Sequence, residues 1–321
     1  MVSARSARTW PICTAINERE GCVMPQGPEG AAGVFRAEVR SVTPIAEGMV
    51  RVVFGGDGLR GFSSTGVGDE YVRLHFPPRG QRSVDVPSPE AMWTSSDGGG
   101  VSDKRTYTIR SVDPTHCEIA IDFVMHGDGL AVRWVRQAVP GDAVALNAPT
   151  GLYRPPIDVQ WQLLFADATG LPAVCRIIEQ SPPTVRTRAV VEVASPRHVP
   201  ALASARRPEV TWMYGGNGHG RSRLEQAVRE AELPAGPGYV WVAGETSMLR
   251  AVRKYLRHER KLPASAYKAV GYWNFAADEY RARLAALDPA TRVWLESALD
   301  GDGDEEAQTD EYVARLESLG L

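Results

Sequence analysis

The hydrophobic period of this chain changes once, at Arg154-Pro155-Pro156, and the change limits what can fold on either side. Upstream, residues 34–42 and 70–76 alternate apolar with polar, and 49–54 is branched and apolar. Period-two alternation marks a half-buried strand, and Gly and Pro punctuate each gap. Short strands with regular turn signals predict a small antiparallel barrel or sandwich. Downstream, residues 162–166 form a continuous apolar run, as a strand buried on both faces of a parallel sheet does. Strand-like runs at 188–194, 210–214, 239–243 and 266–272 follow, and helical patterns after 167–172, at 221–232 and at 246–259 separate them. Strands alternating with helices predict a doubly wound α/β domain with a parallel sheet. The expected organisation is a leader over 1–33, an antiparallel β-barrel over 34–153, an α/β domain over 154–275 and an acidic helical extension over 276–321.

At 321 residues the chain is long enough for two domains with proper cores. A net charge of −3 gives no electrostatic reason to bind nucleic acid or an anionic membrane. No apolar run approaches the roughly 20 residues that span a bilayer. The four cysteines, Cys13, Cys22, Cys117 and Cys175, form no C-x-x-C pair, which argues against zinc or an iron–sulfur cluster. So few cysteines in so long a chain favour a reducing compartment, and a cytoplasmic protein is expected. The leader has no apolar segment of the kind a signal peptide needs. It reads as disordered, or as an over-long start with translation beginning at Met24. In the tail, residues 300–306 resemble a calcium loop only superficially, because the glycine spacing is wrong and no Glu stands at the twelfth position. They read as a solvated linker before a terminal helix over 310–319.

The densest information lies between residues 105 and 138. Arg105-Thr106-Tyr107-Thr108-Ile109-Arg110-Ser111 alternates, 117–125 begins as a strand, and Asp113-Pro114-Thr115 between them predicts an antiparallel pair. His126-Gly127-Asp128-Gly129 then leads into a short helix over 131–138. A strand, a glycine turn and a helix N-terminus make an anion site, since free N–H groups and the helix dipole face one point. A phosphorylated aromatic cofactor is the expectation. By contrast, Gly215-Gly216-Asn217-Gly218-His219-Gly220 does not satisfy G-x-G-x-x-G and reads as a connection.

The whole constellation resembles the ferredoxin-reductase-like flavoproteins, and among them the siderophore-interacting protein family of ferric-siderophore reductases. The resemblance is carried by 70–77 (EYVRLHFP), 104–110 (KRTYTIR), 121–134 (IDFVMHGDGLAVRW), 167–173 (DATGLPA), 239–245 (YVWVAGE), 248–256 (MLRAVRKYL) and Gly271-Tyr272-Trp273. It implies an FAD-binding barrel followed by an NAD(P)H-binding-like domain. It also implies an enzyme that passes electrons from NADH or NADPH through FAD to a ferric siderophore, whose Fe(II) form is released. By the same resemblance Arg105 pairs with the pyrophosphate, Tyr107 lies against the isoalloxazine, and Thr108 meets its N5 edge. Tyr107 and Thr108 are the implied catalytic residues. His126, Gly129, Ala131 and Val132 would wrap the phosphates or adenine, with Asp122 and Val124 on the preceding strand, and Asp167 and Thr169 would close the cleft. Trp273 either packs in the core or covers the flavin.

Ferric siderophores are often anionic, so Arg73 and the basic helix bearing Arg250 and Lys254 are the expected recruiting cations. Arg197 and His198 either meet a 2′-phosphate or form a surface loop. No resident metal is implied, and a monomer is expected. Leu130, Ala131 and Val132 stand where the family has Pro-Ala-Ser, which removes a phosphate donor, and Asn274 and Phe275 replace a basic residue and a glycine. Alternative functions are another flavin-dependent oxidoreductase on the same scaffold, or a redox-inactive protein that binds siderophore or flavin.

Overall fold

A computed structural model describes residues 33–87, 104–200, 209–216, 221–275, 280, 283–284, 286–299 and 305–320. The leader, most of the expected 77–100 loop, part of the glycine-rich 215–220 connection and the acidic run 300–304 therefore lie outside the described residues.

Six strands close an antiparallel barrel in the order β1-β2-β5-β4-β3-β6. They are β1 (Val34–Ala46), β2 (Met49–Gly55), β3 (Tyr71–His75), β4 (Lys104–Asp113), β5 (Glu118–Val124) and β6 (Ala143–Asn147). Closure comes from β1, which pairs with β2 along one part and with β6 along another, and bends at register shifts between Val39 and Ser41 and between Pro44 and Ala46. The alternation read in the sequence becomes an inside and an outside. Ile109, Ile119, Ile121 and Phe123 enter the barrel core beside Val72 and Leu74. A helix, α1 (Leu130–Val135), caps that core with Trp134, which lies near Phe54 and Phe76. It ends three residues before the expected 138. The turn between β4 and β5 runs on to Cys117, which has φ of 53°.

The second half is a five-stranded parallel sheet ordered β11-β10-β7-β8-β9. Its strands are β7 (Trp161–Asp167), β8 (Arg186–Val193), β9 (Glu209–Tyr214), β10 (Gly238–Glu245) and β11 (Tyr267–Trp273). Helix α2 (Leu171–Gln180) covers one face, where Val174, Ile177 and Ile178 meet Leu164, Ala166 and Trp241. Helices α3 (Leu224–Glu230) and α4 (Thr246–Lys254) cover the other, and α4 continues into a π-helical turn, Tyr255–Glu259. The tail holds α5 (Pro289–Glu296) and α6 (Glu305–Ser318), whose Leu295, Tyr312 and Leu316 form a small core with Leu284 and Ala298. Helix α6 begins five residues before the expected 310.

The two halves are joined by buried ionic contacts from α2. Arg176 reaches Glu70 just before β3 (2.6 Å), and the side chains are 7% and 0% exposed. The Glu70 carboxylate also accepts from the Ser64 and Thr65 hydroxyls, and Arg176 donates to the Ile109 carbonyl. Three residues further along α2, Glu179 takes both terminal nitrogens of Arg110 on β4 (2.9 and 2.5 Å). A third tie uses Asp69, whose carboxylate accepts from the Leu152 and Tyr153 amides and from the Trp241 indole (2.8, 2.7 and 3.0 Å). Barrel, linker and sheet therefore meet at one side chain.

Removing one member of a buried pair strands the other charge, at a cost of about 3–5 kcal/mol. Arg176→Ala is expected to lose stability in that range in urea denaturation. Arg110→Ala, whose partner Glu179 is 31% exposed, should lose less.

Candidate functional site

The order in which strands are added reverses beside β7: β8 and β9 lie to one side, β10 and β11 to the other, and all five run parallel. Open α/β sheets bind ligands beyond the carboxyl ends of their strands at such a switch point. Here those ends carry Asp167 (β7), Gly244 and Glu245 (β10) and Trp273 (β11). Gly170 opens α2 there, and a Cβ on it would fall 2.9 Å from the Ala166 Cβ and 3.0 Å from that of Ala243, so only glycine lets the helix start this close.

Asp167 organises the crevice. One carboxylate oxygen accepts from the amide and hydroxyl of Thr169 (2.8 and 2.5 Å), and the other accepts from the Trp273 indole (2.6 Å). The Trp273 carbonyl in turn accepts from the Thr246 hydroxyl (3.1 Å). Burial pushes the Asp167 carboxyl above its ordinary range, and these hydrogen bonds hold it back. Glu245 caps α4 by accepting from the Met248 amide (3.0 Å) and also receives the Phe275 amide (3.2 Å). The Phe275 ring is exposed beside it.

The barrel supplies the opposite wall. Successive residues of β4 face opposite ways, which separates Tyr107 from Thr108. The Tyr107 ring packs on Phe123 with centroids 4.4 Å apart, and burial pushes its hydroxyl pKa up. Thr108 is buried and faces the sheet, where its hydroxyl donates to that of Tyr272 at 3.3 Å. Arg105 is half-buried and donates to the Lys104 carbonyl (2.6 Å). His126 follows β5 and stands 5.7 Å from Trp273, ring to ring. The structure thus brings together Thr108, His126, Asp167, Thr169 and Trp273, contributed by both halves of the chain.

The loop beyond His126 leads to α1 at Gly129, which makes no side-chain cap bond. A Cβ on Gly127 or Gly129 would meet nothing within 4 Å, so the loop backs onto open space. Ala131 and Val132 are buried beneath it. Arg133 and Arg136 fold back on the loop: Arg133 donates to the Asp128 carbonyl, and Arg136 to the Asp128 carboxylate (2.9 Å) and the Gly127 carbonyl (3.3 Å).

Other expected site residues lie elsewhere. Asp122 faces out of the barrel but is held by both Arg51 nitrogens (2.6 and 2.8 Å), and this ion pair occupies its carboxylate. Val124 packs against the α2 side of the sheet domain. Arg73 is 6% exposed, so it presents no open cation to a passing anion. Lys254 ends α4, eight residues beyond Thr246 and about 12 Å along the helix from the crevice at 1.5 Å per residue. Arg250 lies one turn in and is half-buried. Arg197 is turned to the barrel hairpin, where it pairs with Glu47 (2.7 Å), and His198 bonds Ser195 (2.9 Å). Tyr272 and Asp69 were not singled out from the sequence, although Tyr272 lies inside the Gly271-Tyr272-Trp273 signature.

A groove of about 410 Å³ opens away from the crevice, between β8, β9 and α3, and its rim carries the exposed Arg188–Glu209 pair. Among the described residues no group of three or more His, Cys, Asp or Glu could hold a metal ion, and no helix is long and apolar enough to cross a membrane.

Both halves of the chain resemble known proteins. Residues 38–153 match the family described as the siderophore-interacting FAD-binding domain, and residues 159–276 match that described as siderophore-interacting protein. An uncharacterised protein of Mycobacterium tuberculosis strain H37Rv is 32% identical over 251 residues, 74% of this chain and 88% of that one. The NADPH-dependent ferric-chelate reductase of Escherichia coli K12 is 29% identical over 241 residues, 74% of this chain and 91% of that one. The crystal structure of a siderophore utilization protein from T. fusca superposes with a TM-score of 0.67 at 30% identity, covering 76% of this chain and 94% of that one.

The Asp167 carboxyl sits above its unfolded value of 3.8, so the native state binds its proton more tightly than the unfolded chain does. That contribution is complete at low pH and is lost as pH rises through the raised value. The stability difference between wild type and Asp167→Asn, followed by urea midpoints, is expected to move against the wild type as pH is raised from about 4 to 7.

Proposed function

This chain belongs to the siderophore-interacting protein family, and we propose that it is an FAD-dependent reductase that uses NADH or NADPH to release iron from ferric siderophores. One observation carries the reading. Thr108 of the barrel meets Tyr272 of the sheet, and His126 of the barrel lies beside Trp273, which Asp167 holds, so both halves of the chain contribute to one boundary at the switch point.

The residues present suit FAD. The loop 126–129 leaves open space over Gly127 and Gly129, and the first N–H groups of α1 have no side-chain cap, which suits a diphosphate. Arg133 and Arg136 neutralise Asp128 there, so the loop does not turn an unpaired carboxylate towards the phosphates. These backbone donors stand in for the hydroxyl that Val132 lacks. Tyr107 offers an aromatic edge, Thr108 a hydroxyl for the N5 side of the ring, and Arg105 a cation for the pyrophosphate. Asp167 holds Trp273 as the wall across from His126. When bound, FAD supplies the conversion of a two-electron donor into one-electron delivery, and the protein supplies position and electrostatics. Reduction of Fe(III) to Fe(II) weakens the hard oxygen ligands of the siderophore, and the metal is released.

Of the expected recruiting cations, Arg250 is the nearer to the crevice along α4; Lys254 and the buried Arg73 are left to longer-range steering. We place the protein in the cytoplasm, where NAD(P)H is available to it.

The purified protein is expected to bind FAD, to bleach anaerobically with NADH or NADPH, and to recover its absorbance when a ferric siderophore is added. Protein that cannot be loaded with FAD would remove the basis of the proposal. Loaded protein that bleaches but reduces ferric siderophore no faster than free reduced flavin would be an oxidoreductase with another acceptor.

A further inference from the structure

We infer that Tyr272 is a positioning residue whose hydroxyl forms, with that of Thr108, a reversible hydrogen-bond pair matched to the two redox forms of the flavin. The inference rests on the flavin reading above, with Thr108 on the N5 side of the ring.

The geometry begins with how firmly Tyr272 is held. Its ring stands edge-on to Trp241, 6.4 Å between centroids and 85° between planes. Trp241 is fully buried, and its indole is fixed by Asp69, which also holds the linker amides of Leu152 and Tyr153. Tyr272 thus leans on a wall that is tied to barrel, linker and sheet at once. From that wall its hydroxyl reaches across the domain boundary to Thr108 (3.3 Å). This is long for an O–H···O contact, which leaves Thr108 free to turn between Tyr272 and a ligand. Burial, with Asp69 and Asp167 nearby, pushes the Tyr272 pKa up, so the phenol keeps its proton.

Two neutral hydroxyls in contact have one spare proton between them, and it sits on whichever group accepts. When Tyr272 donates to Thr108, the Thr108 proton is free to point into the crevice. When Thr108 donates to Tyr272, Thr108 presents a lone pair instead. Oxidised flavin needs a donor at N5, because that nitrogen is an acceptor. Reduced flavin carries N5–H and needs an acceptor. A lone hydroxyl meets both demands only by leaving its second bond to chance; a paired one meets both and keeps that bond. Tyr272 therefore keeps Thr108 hydrogen-bonded in both states, as its donor when Thr108 turns its proton to N5 and as its acceptor when Thr108 turns a lone pair there.

The test uses the full-length FAD-loaded protein and reads the midpoint potential by spectroelectrochemistry and FAD affinity by fluorescence. Two variants are compared, Tyr272→Phe and Thr108→Val, and Tyr272→Phe is expected to hold FAD within about threefold of wild type, a change of less than 1 kcal/mol. Each should shift the reduction equilibrium by about tenfold, roughly 30 mV for a two-electron couple. Because the pair acts as a unit, the double variant should shift no further than either single one. A Tyr272→Phe protein at the wild-type potential, or a double variant equal to the sum of the singles, would overturn the inference while leaving FAD binding and the proposed function intact. Failure of the wild type to bind FAD would remove both. If Tyr272→Phe does not fold, a difluorotyrosine at position 272 keeps the shape and makes the phenol a stronger donor. It should shift the potential in the native fold, and no shift would likewise overturn the pairing.

Discussion

The buried contact between Arg176 and Glu70 is the interaction on which the rest of this architecture depends. Met49, Ile45 and Val124 of the barrel pack against the sheet's own core, but apolar contact is non-directional and by itself specifies the angle between the two halves only loosely. Charges removed from water do specify it, because they tolerate little displacement before the desolvation cost goes uncompensated. Helix α2 carries two such contacts three residues apart, Arg176 with Glu70 and Glu179 with Arg110, of opposite sign sense. A rotation that improved one would misplace the other. The half-buried Cys175 thiol lies on the same helix; desolvation pushes its pKa up to about 11, so it stays a neutral packing group beside these charges.

The crevice inherits its precision from that interface. Thr108 and Arg110 sit on the same outward face of β4, so the contact that docks α2 onto the barrel also aims Thr108 at β11. Asp167 ends the strand that leads directly into α2, and Gly170 sets how closely the helix starts. Positioning and chemistry therefore share the same few residues.

Periodicity made both halves legible. The alternation at 70–76 and 105–111 placed β3 and β4, and the uninterrupted run at 162–166 marked β7 as the central strand of a parallel sheet. Of the residues expected at the crevice from motif resemblance, His126, Asp167, Thr169 and Trp273 lie at strand ends or in the turns after them, whereas Thr108 lies mid-strand on the outward face of β4. What sequence could not give was pairing across the two halves. Arg176 and Glu179 are charges on an otherwise largely apolar helix, and only the docked barrel says what satisfies them. Asp122 belongs to the block that resembles a cofactor site, yet the neighbouring strand supplies Arg51 and claims it. Lys254 shows the same limit: a helix advertises its charge in sequence, but distance from its N-terminus decides whether that charge reaches the cleft.

Asp69 has a mechanical consequence. Three donors from the linker and the sheet converge on one carboxylate of the barrel, at the point where a hinge between two such domains would otherwise bend. With that point pinned, Trp241 keeps its place, and so does Tyr272, whose ring stands edge-on to it. The meeting of Tyr272 with Thr108 is then governed by a tether some way behind it, and a change at Asp69 would be felt at a contact it does not touch.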